Sequence, residues 1–311
     1  MAAGSPAVAE TPPVKAAAAL LGPLARRDEP IGERTTYRVG GAAALYVELT
    51  DAEVLERVAL AVAASGVEVL VLGKGSNLLV ADGGFAGLCL SLAGDFGEVA
   101  LAEGSSEVTA GGGVAYPVLA RRLAALELSG MSWAVGIPGS VGGAVAMNAG
   151  GHGSDTATHL VRARVVDLVH GTERLATGEQ LGLAYRHSEL KAGEVVLSAS
   201  FTLCAGERAT LEAEIDEIVA WRREHQPGGR NAGSVFTNPA GDAAGRLLEE
   251  AGAKGLRVGS AVVSDKHANF IGVDAGGSAE DVLAVIEAAR ALVSARCGIE
   301  LRTEVRLVGF H

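Results

Sequence analysis

The stretch from Trp133 to Gly151, WAVGIPGSVGGAVAMNAGG, constrains this chain more than any other. Six of its nineteen residues are glycine: Gly136, Gly139, Gly142, Gly143, Gly150 and Gly151. Glycine reaches positive φ without steric cost and lets a ligand approach the backbone. In regular structure it costs roughly 0.5–1 kcal/mol relative to alanine. A run this dense points backbone N–H groups at an anion, as in nests that cradle phosphate. A plain glycine-rich turn between two elements is the competing reading.

A second stretch favours the cradle. Val67–Leu72 is a short β-branched run, followed at once by Gly73, Lys74, Gly75, Ser76 and Asn77. Strand and then tight polar loop is a place where backbone donors meet a diphosphate. Neither common nucleotide fingerprint is present: there is no GxxxxGK[ST], and Leu78 breaks GxGxxG.

Composition bounds the rest. A chain of 311 residues suggests two or three units of ~100–150 residues. Its 43 glycines are about double the usual share, and aromatic residues at 4% leave the core to aliphatic side chains. A net charge of −11 argues against a nucleic-acid or anionic-membrane surface, so an anionic substrate needs a local basic pocket. The three cysteines, Cys89, Cys204 and Cys297, lie far apart with no zinc spacing. They read as reduced, buried thiols of a cytoplasmic protein. No apolar run approaches the ~20 residues that span a bilayer. No charged region precedes Ala17–Leu21, which argues against a signal peptide.

Along the chain, 45–49 alternates as a half-buried strand. Thr50 and Glu53 form a capping-box pattern for a helix with Val54, Val58 and Val62 on one face and Gly66 beyond its end. Residues 87–113 read as short strands, 116–128 as a helix, and 163–169 and 195–202 as strands. A long amphipathic helix after Arg208 carries Leu211, Ile215, Ile218 and Val219, and Pro227-Gly228-Gly229 ends it. Then come a helix at 243–251, strands at 261–263 and 270–273, a helix at 279–296 and a strand at 301–309. Residues 1–30 are expected to be irregular or disordered, because 1–13 are rich in Ala, Pro and Ser.

Six motifs carry a family resemblance: VLGKGSNLLVADGGFAG (71–87), GIPGSVGGAVAMNAG (136–150), YRHS (185–188), AGSVFTNP (232–239), SDKHANFI (264–271) and TEV (303–305). In that order they resemble the UDP-N-acetylenolpyruvoylglucosamine reductases, from about Thr35 to Glu304. The resemblance implies an α+β chain with an FAD-binding fold of the vanillyl-alcohol-oxidase type. Two subdomains, 31–90 and 91–205, would hold the flavin, with strand 303–311 returning to the first. A C-terminal α+β domain, 206–302, would bind substrate. It implies noncovalent FAD, NADPH as co-substrate, and reduction of UDP-N-acetylglucosamine enolpyruvate for peptidoglycan precursor synthesis in the cytoplasm. Gly73, Lys74, Gly75, Ser76, Asn77 and Leu78 would form one cofactor loop. Gly136, Ile137, Pro138, Gly139, Ser140, Gly142, Gly143, Asn148 and Gly150 would form the other. Two competitors remain: another FAD oxidase or dehydrogenase of this fold, and a non-catalytic nucleotide-sugar-binding protein.

For the chemistry, Ser234 matches the family's proton donor, although the residues alone favour a turn serine beside Gly233. Arg186 matches the arginine on the substrate carboxylate, where a planar fork suits bidentate contact; it also fits a loop brace. Glu304 matches a carboxylate beside the enol ether; its alternation also fits a solvated strand face. Tyr185, Asn238, Lys254, Lys266, His267 and Asn269 are substrate candidates, Arg230 is a weaker one, and Ser188 is a candidate orienter of Arg186. Lys254 also fits a helix-end cation worth ~0.3–1 kcal/mol. No cluster has metal-ligand spacing, so no catalytic metal is predicted. Two residues depart from the family pattern, Thr237 for lysine and His152 after NAG. The 48 residues from Arg186 to Ser234 (234 − 186) are too few for one branch's capping insertion. The chain therefore resembles the shorter, type II branch.

Overall fold

The computed structural model describes residues 8–101 and 105–310. Its first unit is a four-stranded sheet in the order Arg26–Glu29, Ala43–Leu49, Phe85–Leu92, Val69–Val71. The last three run parallel, and Arg26–Glu29 pairs antiparallel with Ala43–Leu49. Helix Ala52–Ser65 buries Leu55, Val58, Ala61 and Val62 against this sheet, with Val54 partly covered. Its cap is Asp51, one residue later than the capping-box reading. The Asp51 carboxylate accepts from Val54 N at 2.9 Å, and Thr50 Oγ1 donates to that carboxylate instead of accepting from a helix N–H.

The N-terminal segment corrects the sequence reading where it is described. Pro12–Leu21 is a helix, capped by the Thr11 hydroxyl with proline in its first turn. Val14, Ala17, Ala18 and Leu21 enter the first core. Residues 1–7 lie outside the described residues.

The second unit is a five-stranded antiparallel sheet in the order Thr172–Ala176, Leu160–Asp167, Glu194–Thr202, Glu107–Gly111, Val99–Leu101. Helix Tyr116–Ala125 and the short helix Val141–Ala146 share its core. That short helix lies inside the glycine stretch, where a loop was expected. Helix Arg208–His225 buries Leu211 and Ile215 in this same core, with Ile218 and Val219 packed alongside. By packing, the helix belongs with the second unit, and the change of core falls after His225 instead of near 205.

The remaining core joins helices Ala244–Glu250 and Ala279–Cys297 to a three-stranded antiparallel sheet of Arg257–Val258, Ala261–Val263 and Ile271–Val273. The chain then returns: Arg306–Val308 pairs parallel with Leu78–Val80 of the first unit. The expected strand from 301 is confined to these three residues. Residues 302–305 instead lie beside the Ser234 segment, with Phe236 bridging Thr303, Glu304 N donating to Val235 O at 2.7 Å and Thr237 N to Arg302 O at 3.0 Å.

Candidate active site

The two glycine loops face each other across a cavity of about 540 Å³. The first, Gly73–Leu78, follows strand Val69–Val71; the second, Gly136–Ser140, precedes the short helix. Each needs glycine at one sharp position. Gly75 has φ +63°, and a Cβ there would sit 2.6 Å from Arg34 O. Gly139 has φ +157°, and its carbonyl accepts from Tyr116 N at 2.9 Å. Ser76 Oγ donates to Pro138 O, tying one loop to the other. Ser140 turns its hydroxyl to Gly143 N at 3.3 Å, capping the short helix.

A second lobe of about 350 Å³ adjoins the first and shares Gly73, Lys74, Ser140, Gly143 and Met147 with it. The lobe reaches Gly112, Gly113 and Gly142 between the two units. A two-lobed cleft with glycine loops at its waist fits an extended dinucleotide. Among the predicted cofactor residues, Asn148 alone lies outside both lobes. Its amide is used locally: Nδ2 donates to Asp155 Oδ2 (3.2 Å) and Ala184 O (3.0 Å), and Oδ1 accepts from Ala157 N (2.9 Å). Asn148 therefore braces the turn that carries Arg186.

Arg186, Ser234 and Glu304 all line the larger lobe. Arg186 sits at the tip of a tight turn closed by an Ala184–His187 bridge, with the left-handed φ of +54° that costs a non-glycine residue of order 1–3 kcal/mol. Its Nη2 donates to Gly150 O at 2.7 Å. Its Nε lies 3.1 Å from Glu304 Oε1, but the N–H is not aligned on that oxygen, so charge holds the pair. Burial pushes the Glu304 carboxyl above the usual carboxylate range, while Arg186 pulls it back. Ser234 sits where its segment is gripped from both sides. Residues 302–305 lie along one side. On the other, Asn269 accepts from Phe236 N (2.9 Å) and donates to Phe236 O (2.8 Å). The Ser234 hydroxyl has no hydrogen-bond partner among the described residues, so it is free to meet a ligand. Asn77 Nδ2 donates to Glu304 O at 3.0 Å, linking the first glycine loop to this wall.

The predicted substrate residues other than Arg186 lie outside the cavity lining. Tyr185 is 58% exposed, with the Arg186 guanidinium 5.2 Å over its ring. Asn238 accepts from Ala244 N at the start of helix Ala244–Glu250. Lys254 pairs with Glu249 at 2.7 Å, and Lys266 donates to Arg223 O at 2.7 Å. His267 accepts from Asn269 N at 3.2 Å and packs against Phe270. Asn269 is buried, with both amide atoms committed to Phe236. Ser188 donates to Ala146 O at 2.6 Å and does not touch Arg186. Sequence reasoning missed Arg222, Gln226, Phe270 and Arg306, which do line the cleft. Position was the available signal: Arg222 and Gln226 are one helical turn apart at the proline-terminated helix end.

With this geometry in view, the comparisons define the class first. Residues 43–175 match the FAD binding domain family. The chain therefore contains an FAD-binding fold. Residues 225–308 match the family described as UDP-N-acetylenolpyruvoylglucosamine reductase, C-terminal domain. A relative named UDP-N-acetylenolpyruvoylglucosamine reductase from Heliobacterium modesticaldum is 44% identical over 91% of this chain and 90% of its own length. One from Rubrobacter xylanophilus is 43% identical over 92% and 96%. The crystal structure of UDP-N-acetylenolpyruvylglucosamine reductase from Thermus caldophilus superposes with a TM-score of 0.79, at 33% identity over 91% of this chain and 99% of that one. The chain belongs to the UDP-N-acetylenolpyruvoylglucosamine reductase family.

Proposed function

We propose that this chain reduces UDP-N-acetylglucosamine enolpyruvate to UDP-N-acetylmuramate at the expense of NADPH, in peptidoglycan precursor synthesis in the cytoplasm. The observation that carries the reading is the meeting of Arg186, Ser234 and Glu304 on one wall of the cleft between the glycine loops. FAD, when bound there, supplies hydride transfer from NADPH to C3 of the enol ether. The chain's own residues do the rest. Backbone N–H groups of Gly73–Leu78, Gly136, Ile137, Gly139 and Ser140 would hold the cofactor. Arg186 presents its fork to the substrate carboxylate, where charge builds as C3 accepts hydride. Glu304 holds the guanidinium in place. The Ser234 hydroxyl gives its proton to C2 and regains one from water. Residues 226–305 supply the walls around the nucleotide sugar, and the cofactor is held without a covalent bond.

The test is direct. The purified protein should be yellow, and acid precipitation should release the colour into the supernatant. NADPH consumption should require the enolpyruvyl substrate. Turnover of alcohols with oxygen would instead indicate another oxidase of the fold. A colourless protein that binds only the nucleotide sugar would remove the enzyme reading.

A further inference from the structure

The cleft lining includes Trp221 and His152, part of a cluster of rings that the chemistry above does not use. The Trp221 indole stacks on His225, with ring centroids 4.7 Å apart and 14° between planes. His152 meets the same indole edge-on, at 5.2 Å and 85°. His225 is fixed by its own helix, with Nδ1 2.8 Å from Trp221 O. His152 lies close over Gly136, where an added Cβ would meet its Nε2 at 3.1 Å. Trp221 and His152 both line the cavity, yet Trp221 remains 44% exposed. The indole is thus both a lining group of the cleft and a partly open ring. Beside it, Arg222 also faces the cavity, with Nε on Gln226 Oε1 at 2.8 Å. No carboxylate among the described residues pairs with this guanidinium, and desolvation holds its pKa below the usual range. A flat ring surface next to an uncompensated cation matches a planar base joined to phosphate.

We propose that Trp221, flanked by His152 and His225, is a stacking subsite for the base of the nucleotide that enters this cleft, with Arg222 facing its phosphate. The ligand class rests on the proposed reductase reading, in which two nucleotides use the cleft: the nicotinamide dinucleotide and the uridine diphosphate sugar.

The experiment uses the flavin-loaded enzyme with NADP⁺ and UDP-N-acetylglucosamine as separate probes. The chain has only two tryptophans, and Trp133 is buried, so binding at the wall reads out as a change in Trp221 emission. Kd for each probe is measured by calorimetry for the parent, Trp221→Leu and Trp221→Phe. Loss of stacking should raise Kd for at least one probe about tenfold in Trp221→Leu. Trp221→Phe should recover most of that loss, and the flavin spectrum should be unchanged in both. The probe that responds identifies which base stacks. Unchanged Kd values in Trp221→Leu, or equal losses in both variants, would overturn the subsite while leaving the reductase reading intact. Failure of both probes to bind the parent enzyme would overturn the reductase reading, and the subsite with it.

Discussion

The two walls of the cleft are built on different principles. The cradle wall is two short runs of backbone, Gly73–Leu78 and Gly136–Ser140, each contiguous in sequence. The wall proposed to be reactive is three side chains, Arg186, Ser234 and Glu304, drawn from segments 118 residues apart (304 − 186). The first is defined by what it lacks, side chains at Gly75 and Gly139. The second is defined by what holds it: Asn148 behind the Arg186 turn, Asn269 behind Ser234, and Asn77 on the Glu304 carbonyl. A backbone cradle is written locally, so composition in a window reveals it. A constellation of side chains is written in long-range contacts, and its supporting residues look in sequence like ligands.

The widest separation of the two walls should come from Ser234→Ala. A positioned proton donor contributes on the order of 10²–10⁴-fold. Reduction of the enolpyruvyl substrate should fall by that much, while NADPH still bleaches the flavin in a stopped-flow trace. If both half-reactions fall together, Ser234 supports the cradle and the two walls are not separate. Next in size is Arg186→Lys. A point charge cannot reproduce the fork that spans Gly150 O and Glu304. Loss of one preorganised donor costs about 10²–10³ in kcat. The oxidative half-reaction should carry that loss, with FAD content unchanged.

The same contrast governs what could be read from sequence. Helical periodicity was legible: Val58 and Val62, and Leu211 and Ile215, point into cores as their spacing requires. The helix Pro12–Leu21 was missed because its Ala/Pro composition outweighed its start signals, a Thr11 cap and proline in the first turn. The strand expected from Leu301 shrank to Arg306–Val308, since residues 302–305 are committed to Val235 and Thr237 instead of a sheet neighbour. The substrate candidates other than Arg186 lie outside the cavity lining and are held by neighbours in the ligand-free structure. A polar side chain can be spent on a ligand or on a neighbour, and Asn269, Lys254 and Lys266 are each already engaged. Nothing in a single sequence records which.

Asn269→Ala sharpens that point at a smaller scale. The buried amide satisfies both the N–H and the carbonyl of Phe236. Removing it leaves two buried backbone groups unpaired, at about 1–3 kcal/mol each in the unrelaxed limit. The loss should appear as a lower unfolding midpoint in denaturant. It should not be rescued by saturating UDP-N-acetylglucosamine beyond the shift the parent also shows. A variant with parental stability and a selectively raised KM would return Asn269 to the substrate side of the cleft.

The smallest effect concerns the carboxyl at the centre of the reactive wall. Burial raises the Glu304 pKa above its ordinary 4.5, with Arg186 opposing the shift. The folded chain therefore holds this proton to a higher pH than the unfolded chain does. The stability tied to the protonated form is fully present below the unfolded value and is lost as pH rises through the folded one. Glu304→Gln cannot titrate. Denaturant midpoints of the two proteins should thus diverge across that window, with the parent losing stability relative to the variant as pH increases. Parallel pH profiles would mean that the carboxyl is as well solvated as a surface glutamate. The reactive wall would then be wet, and Arg186 would be held there by its turn and Gly150 without help from a desolvated partner.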